Sequence, residues 1–443
     1  MSGADETYYR ATLGPTKARP SPEGRIEAEV CIVGGGFAGL NTALGLCERG
    51  RGEGVVLLES RALGHGASGR NGGFVFSGFS RGENALLRDL GPARAKALHG
   101  GTVAAVATIR ERSRRYGIDC DLVEAGALWA NWFRDARVLR ARQRLLAEHF
   151  GVEWEWRDRS EVRQLLRTER YHDALFEANA FHFHPLKYAC GIAAAAEAQG
   201  ARLYEAAPAI ALQRDGKGWC VRTPQAEVRT QHVVLACGGY LAGLRREVDA
   251  GVLPIATYVM VTEPLGARLG EAIATAAAVY DTRFAFDYYR PLPDTRLLWG
   301  GRISVRDRAP DAVHRLLRRD LVKVYPRLAD VRIEYAWSGL MSYARHEMPQ
   351  IGRIDDGLWV GQAFGGHGVA PTTFAGEVLA SAIADGDERW REFSDYGLVS
   401  ALKPAGFLGA QLSYWWFQAR DAWRDWREGA PRRAVRASNG PST

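Results

Sequence analysis

Three glycine-rich stretches carry the residue types that could do chemistry. The first is Gly34-Gly35-Gly36-Phe37-Ala38-Gly39, a G-x-G-x-x-G followed 20 residues later by Glu59, with Ser60 and Arg61 directly after it. Such chemistry needs Gly34 for a tight turn, Gly36 so that backbone can approach a pyrophosphate, and Gly39 for close helix–strand packing. The phosphates then meet the helix N-terminus around Phe37 and Ala38, where N–H groups and the macrodipole favour negative charge. Glu59 ends an apolar run and is placed to accept a hydrogen bond from a ribose hydroxyl. An acid at that place argues against a 2′-phosphate.

The second stretch is Ser68-Gly69-Arg70-Asn71-Gly72-Gly73. An NAD domain has no evident use for a second glycine loop after its second strand, whereas a cofactor that continues to a flat tricyclic ring does. Ser68 can bond a phosphate or ribitol oxygen, and Arg70 can neutralise phosphate or polarise an electron-poor ring. Asn71 can fix the loop or meet a ring amide, while Gly72 and Gly73 let backbone lie against the ring. The competing reading is a polar surface turn. The third stretch, Gly365-Gly366-His367-Gly368-Val369 with Thr372 beyond it, again offers backbone donors and the positive end of a helix. His367 reads as lying near a cofactor, or as a capping or core histidine.

The elements that must position these stretches are legible. "AEVCIVG", a helix over "GGFAGLNTALGLCERG" and the strand "GVVLLE" make a βαβ opening. Arginine-rich amphipathic helices follow to about residue 170, their arginines expected on a solvated face. Then come a helix over "LKYACGIAAAAEAQ" and short strands to "HVVLACGG". Residues 252–338 read as long antiparallel strands, rich in Tyr, Val and Thr, with one helix among them. The last strand–glycine loop–helix returns to the opening texture. The expected layout is an arm over 1–25, a discontinuous nucleotide domain over 26–82, 171–250 and 339–400, a second domain over 83–170 and 251–338, and a C-terminal amphipathic helix and tail over 401–443.

Bulk properties narrow the function. The 443 residues are 47% hydrophobic and 25% charged, enough for a large core and against wholesale disorder. A net charge of +7 is spread along the chain without a nucleic-acid motif. The six cysteines are scattered and fit a reducing compartment rather than a disulfide framework. With no signal-peptide core or membrane span in sight, the expected location is cytoplasmic.

On "VGGGFAGLNTALGL", "GHGASGRNGGF", "FHFHPLKYACGIAAAAEAQGARLYE", "WSGLMSYARHEMPQIGRI" and "GQAFGGHGVAPTTFAGEVLASAI", the chain resembles the D-amino-acid oxidase-like (DAO) family of FAD-dependent oxidoreductases, and within it the gamma-glutamylputrescine oxidase branch. The resemblance implies an α/β, glutathione-reductase-like FAD domain and a second domain whose antiparallel sheet roofs the flavin. It implies FAD contacts at the residues already named and at Ala209, by its backbone, on the adenine side. Arg70 stands where relatives with a histidyl flavin carry the histidine, and no cysteine lies near the closing loop, so non-covalent FAD is implied. Met341 stands where oxidases of α-amino acids carry a carboxylate-gripping arginine, which turns the expectation towards an amine. Leu298 stands where sarcosine oxidases carry a lysine for dioxygen activation.

The implied reaction is hydride transfer from an amine-bearing carbon to flavin, giving an imine that hydrolyses, with dioxygen or another acceptor reoxidising the flavin. Desolvation should keep the amine neutral. Tyr258, Tyr288, Tyr289 and Trp337 are candidate pocket walls, or ordinary sheet core. In the charged turn Arg345-His346-Glu347, expected to face the pocket, His346 is the candidate to accept a proton or orient substrate, and a solvated turn is the alternative. His182 and His184 lack a third ligand, so no metal is expected. The competing functions are a dehydrogenase of the same fold, acting on D-amino acids or opine-type amines and passing electrons to a quinone or carrier protein, and a non-catalytic flavin-binding protein.

In the tail, Leu412, Trp415, Trp416, Ala419, Trp423 and Trp426 recur at helical spacing. Packing of this stripe on the protein's own body is expected, with Asp421, Asp425 and Glu428 diluting the basic face. Membrane contact or self-association is the alternative.

Overall fold

Short all-apolar strands are buried on both faces when they run parallel beneath covering helices. The computed structural model, which describes residues 6–429, places the two opening strands in such a sheet. Gly24–Val33 lies between Ala226–Leu235 and Val55–Leu58, parallel to both. Arg202–Tyr204 extends one side, Leu358–Gln362 the other, and antiparallel Gln350–Asp355 ends that edge. A ribbon of Ala211–Asp215 and Gly218–Arg222 pairs onto Ala226–Leu235 and completes eight strands. The fingerprint helix Phe37–Cys47 and the closing helix Val369–Asp385 cross so tightly that a Cβ on Gly376 would lie 2.5 Å from that of Asn41. This is the discontinuous α/β half expected.

The second sheet also has eight strands, in the order Ile333–Tyr343, Leu253–Thr262, Leu297–Ser304, Asp287–Pro291, Ala278–Asp281, Ala127–Ala130, Ala174–Glu177 and Glu155–Arg157. It is antiparallel except where Ala278–Asp281 runs parallel to Ala127–Ala130. Val313, Leu317 and Leu321 of helix Pro310–Val324 share one core with Tyr258, Tyr289 and Trp299 of this sheet.

Several placements differ from expectation. Strand Ala174–Glu177, within the 171–250 segment read as nucleotide domain, pairs instead with Ala127–Ala130 of the second sheet. That pairing is a long-range choice which no local pattern encodes. Two arginines of the supposedly solvated helices are turned inward. Arg112 is buried, bonded to Glu48, Glu377 and Asn41, so it clamps helix Glu83–Arg115 to both crossing helices. Arg142 reaches Glu83. The N-terminal arm carries a helical turn, Tyr8–Ala11, capped by Thr7, with both tyrosines buried in the cluster of Trp337, Val259 and Leu186.

The C-terminal helix Ala405–Gly429 packs through the opposite face from the one expected. Tyr414 and Asp421 are buried, and Phe417 meets Phe284 with ring centroids 4.5 Å apart. Asp421 accepts the Phe284 N–H at 2.7 Å, Asp425 meets Arg170 at 2.5 Å and Glu428 accepts the Arg134 N–H at 2.6 Å. The acids therefore anchor the helix to the body, and the tryptophan stripe faces outward. No helix among the described residues is long and apolar enough to cross a membrane.

Candidate functional site

Where strand Gly24–Val33 turns into helix Phe37–Cys47, two close backbone approaches leave room only for glycine and a third is tight. Gly34 has φ +113°, and a Cβ there would sit 2.7 Å from the carbonyl oxygen of Ala236. A Cβ on Gly39 would sit 2.0 Å from the carbonyl oxygen of Gly34, which is the helix–strand contact the fingerprint requires. A Cβ on Gly36 would lie 2.9 Å from Ser68 Oγ, and that hydroxyl accepts the Phe37 N–H at 2.8 Å. Glu59 is held at the end of its strand: Oε2 accepts the Gly35 N–H at 2.7 Å, while Oε1 accepts the Arg61 N–H at 2.9 Å and the Ser60 hydroxyl at 3.1 Å.

From this corner a single cavity of about 1440 Å³ runs through the molecule, larger than the ~300–1,000 Å³ of ordinary ligand pockets. Gly34, Gly36, Phe37, Ala38, Glu59, Ser60, Arg61 and Ala209 line its near end. Ser68, Arg70, Asn71 and Gly72 line its middle, and Gly365, Gly366, His367, Gly368, Val369 and Thr372 line the far end. The sequence thus brings most of its candidates onto one surface. Gly39 and Gly73 are not on that surface, because their task is packing.

The arginine–asparagine loop is a rigid shelf. Asn71 donates to the carbonyls of Ala67 at 3.1 Å and Ser68 at 2.8 Å, and its Oδ1 accepts the Gly73 N–H at 2.8 Å. Of the two roles open to Asn71, the geometry supplies loop fixing. Arg70 donates from Nε to the His65 carbonyl at 2.9 Å and from Nη1 to the Ser338 carbonyl at 3.3 Å. Trp337 donates its indole N–H to the Arg70 carbonyl at 2.9 Å. Gly73, with φ +78°, would put a Cβ 2.1 Å from the Phe183 carbonyl oxygen, so it serves a protein–protein approach rather than an approach to a ring.

Beneath the loop lies Arg290, fully buried and missed by sequence reasoning. It donates to the carbonyls of Gly72 at 2.7 Å and Phe183 at 2.8 Å, to His182 Nδ1 at 3.2 Å and to the Tyr9 hydroxyl at 3.3 Å. A buried arginine among strand residues has no pattern that marks it in advance.

At the far end His367 donates from Nε2 to the Ser77 carbonyl at 2.8 Å and stands edge-on to Phe76, centroids 4.1 Å apart. Burial pulls its pKa down to about 4, so it is neutral near pH 7. It joins an unbroken aromatic wall in which Phe76 stacks on Tyr280 at 5.5 Å, Tyr280 meets Phe286 at 6.4 Å and Phe286 meets Tyr288 at 6.1 Å. Trp129 stacks on the other side of Tyr280 at 6.5 Å. At the base of this chamber, Arg142 grips Glu83 through two contacts, 2.8 and 2.9 Å long. Burial pushes the Glu83 carboxyl up, but the Arg142 guanidinium outweighs it and holds the group below the ordinary carboxylate range. Glu83, Arg142, Trp129, Tyr280 and Phe76 all line the cavity and were not singled out from the sequence. Arg142 could not have been told from Arg140 and Arg144 on the same helix.

The proposed pocket walls divide by strand alternation. Tyr288 lines the cavity, whereas Tyr289 points the other way and stacks on Trp299 at 4.4 Å. Thr257 lines the cavity, whereas Tyr258 is in the core, donating its hydroxyl to the Arg306 carbonyl at 2.6 Å. Trp337 supports Arg70 from behind. Arg345, Met341 and Glu347 reach the cavity, but His346 does not. His346 accepts the Met348 N–H at 3.2 Å on Nδ1, donates from Nε2 to the Gly397 carbonyl at 3.2 Å and sits beside Tyr396. With both ring nitrogens engaged away from the cavity, it is a turn-fixing histidine and not a proton acceptor. No cluster of three metal-ligating side chains occurs among the described residues, and His182 is committed to Arg290 and to the Ala276 carbonyl at 2.8 Å.

Residues 29–382 match the family model described as DAO, FAD dependent oxidoreductase. The chain is 33% identical over 397 residues to gamma-glutamylputrescine oxidoreductase of Escherichia coli, covering 89% of this chain and 92% of that one. It is 32% identical over 371 residues to the probable oxidoreductase OrdL of Haemophilus influenzae, covering 82% and 84%. Among solved structures, glycine oxidase from Geobacillus kaustophilus superposes with a TM-score of 0.70 at 21% identity over 84% of this chain and 99% of that one. L-proline dehydrogenase from P. horikoshii gives 0.70 at 19% identity, over 84% and 97%. The chain belongs to the DAO family of FAD-dependent oxidoreductases, and FAD is its cofactor. The side chains fit that group: an N-terminal helix end opened by Gly36, a fixed acid at Glu59 and a cavity that continues beyond both.

Proposed function

Because the chain belongs to this family, we propose that it oxidises an amine of the gamma-glutamylputrescine class with non-covalently held FAD. In this reading the helix end at Gly36, Phe37 and Ala38 takes the pyrophosphate, Glu59 takes the ribose and the backbone of Ala209 faces the adenine. The Ser68–Gly72 shelf and the loop from Gly365 to Val369, with Thr372, hold the ring between them. What FAD supplies when bound is a hydride acceptor. Two electrons and a proton would leave the amine-bearing carbon as hydride and pass on, with a second proton from the amine, to dioxygen, giving hydrogen peroxide, while water would hydrolyse the resulting imine to an aldehyde or keto product and release ammonia or an amine.

The observation that carries the substrate class is the aromatic chamber with the Glu83–Arg142 pair at its base. The rings exclude water, which disfavours an ammonium ion and leaves the neutral amine with the lone pair that oxidation needs. The ion pair offers a carboxylate and a guanidinium to a substrate whose far end carries both charges. Met341 offers nothing to a carboxylate beside the reacting carbon, which sets simple α-amino acids apart. Neutral His367 keeps a second positive charge out of the chamber.

The test is anaerobic mixing of holoenzyme with gamma-glutamylputrescine, putrescine, sarcosine, glycine, proline and D-amino acids, followed by the oxidised-flavin absorption. Fastest bleaching by the gamma-glutamylated diamine is expected, and bleaching by α-amino acids alone would overturn the reading. One residue favours a second reading, a dehydrogenase that passes electrons to a quinone or carrier protein. Leu298, in the place of the oxygen-activating lysine, is fully buried in the apolar cluster of Tyr9 and Trp337. Slow reoxidation in aerated buffer with brisk dye reduction would select it.

A further inference from the structure

The outward face of the C-terminal helix carries Leu408, Leu412, Trp415, Trp416, Trp423 and Trp426, each 52–69% exposed. Isolated exposed apolar residues are ordinary, but six large ones on a single stripe of one helix are not. At 3.6 residues per turn they share one side of Ala405–Gly429, with the exposed Ala419 between them. The charges of the helix are sorted around that stripe. Asp421, Asp425 and Glu428 are turned to the body and bonded there, while Arg420 and Arg427 are exposed along its flank. Arg427 lies over the Trp423 ring, 4.6 Å from its centroid. The sequence beyond the helix, outside the described residues, adds Arg432, Arg433 and Arg436 and no acid.

We propose that this face docks the enzyme on an anionic phospholipid surface, the helix lying in the plane of the headgroups. Tryptophan suits that depth because its ring body is apolar and its N–H is polar. A helix with Trp and Leu on one side and arginine along the margin matches the interfacial class. Charge decides between this surface and a second copy of the chain. Two copies meeting through the stripe would bring Arg420 and Arg427 against their own like charges, whereas anionic headgroups complement them, each basic residue contributing ~1 kcal/mol near such a surface. Docking has a geometric consequence. Ala410, Tyr414 and Phe417, on the inner side of the same helix, line the cavity, so the roof of the active cavity rests on the bilayer.

The experiment is flotation of FAD-loaded enzyme with vesicles of phosphatidylcholine alone and of phosphatidylcholine mixed with phosphatidylglycerol. Flotation with the mixed vesicles is expected, accompanied by a blue shift of tryptophan emission. Raising salt from about 0.1 M to about 1 M, which shortens the screening length from ~10 to ~3 Å, should reduce it several-fold. The W423S/W426S double variant should weaken it about tenfold or more at unchanged flavin content. Absence of flotation with either vesicle overturns the proposal, as does flotation indifferent to the double variant. A dimer in light scattering that the same double variant dissociates would assign the face to a second copy instead.

Discussion

Tyr288 and Tyr289 are adjacent in the chain and stand on opposite faces of one strand: Tyr288 lines the cavity, while Tyr289 stacks on Trp299 in the core, centroids 4.4 Å apart. Their substitutions should therefore separate. Y289A is expected to cost about 3–5 kcal/mol of stability. Y288A should lower the melting temperature by less than Y289A and slow anaerobic flavin reduction by about tenfold or more. Paired thermal and rapid-mixing measurements check this, and equal thermal losses in both would contradict the assignment.

His346 makes both of its hydrogen bonds away from the cavity. H346A is expected to change the rate of flavin reduction by less than about threefold, within the range of a structural effect. It should loosen the turn before Met348, read as a lower melting temperature. A loss of about a hundredfold, the least expected for removal of a general base, would restore His346 to the chemistry.

For Gly36, the added Cβ of an alanine would stand 2.9 Å from Ser68 Oγ at the mouth of the helix. G36A should fold yet purify with little flavin. Titration of the apoprotein with FAD should give a dissociation constant about a hundredfold weaker, ~2.7 kcal/mol. Full flavin content in G36A would place the phosphates elsewhere.

Arg290 satisfies two carbonyls below the Ser68–Gly72 loop while itself out of water. R290M leaves those carbonyls without their donor, and about 3–5 kcal/mol of destabilisation is expected. R290K should recover part of it, since one ammonium cannot reach all four partners.

Burial raises the Glu177 carboxyl to about 7 from its unperturbed 4.5, with Arg142 and Ser77 opposing and Glu83 reinforcing the shift. The folded protein therefore holds this proton more tightly than the unfolded chain. Its contribution to stability is complete below about pH 4.5 and is lost as the pH rises through about 7. E177Q keeps the neutral form at every pH. Against the parent it should gain stability of the order of 3 kcal/mol at about pH 8 and none at about pH 4.5, measured by thermal unfolding. A pH-independent difference would refute the shift.

The parts of this molecule that depend on local pattern were readable. Gly34, Gly36, Gly39 and Glu59 are fixed by one turn and two strands, and the loop from Gly365 to Val369 by one strand and one helix. What escaped depends on which face of a strand turns inward. Tyr258 and Tyr288 have the same chemistry, and only the register of Leu253–Thr262 and Asp287–Pro291 in the sheet sends one to the core and the other to the cavity. Arg142 and Arg290 escaped because a buried ion pair or a buried hydrogen-bonding hub is made by residues far apart in sequence. The tail shows the reverse failure. Its amphipathic spacing was clear, but the buried side proved to be the one carrying Asp421 and Tyr414.

The central strand Gly24–Val33 has Ala226–Leu235 on one side, and that strand in turn takes Leu358–Gln362 as its neighbour. A chain emerging from the ribosome thus holds its first strand half-paired until Leu235 has been made, and the far edge of Val233–Leu235 then stays open until Leu358–Val360 follows. Such distant partners make folding slow and leave a sticky sheet edge open during synthesis. The cavity takes Val369 and Thr372 from the closing helix Val369–Asp385, so truncation before residue 369 is expected to cost cofactor capture rather than trim an accessory part.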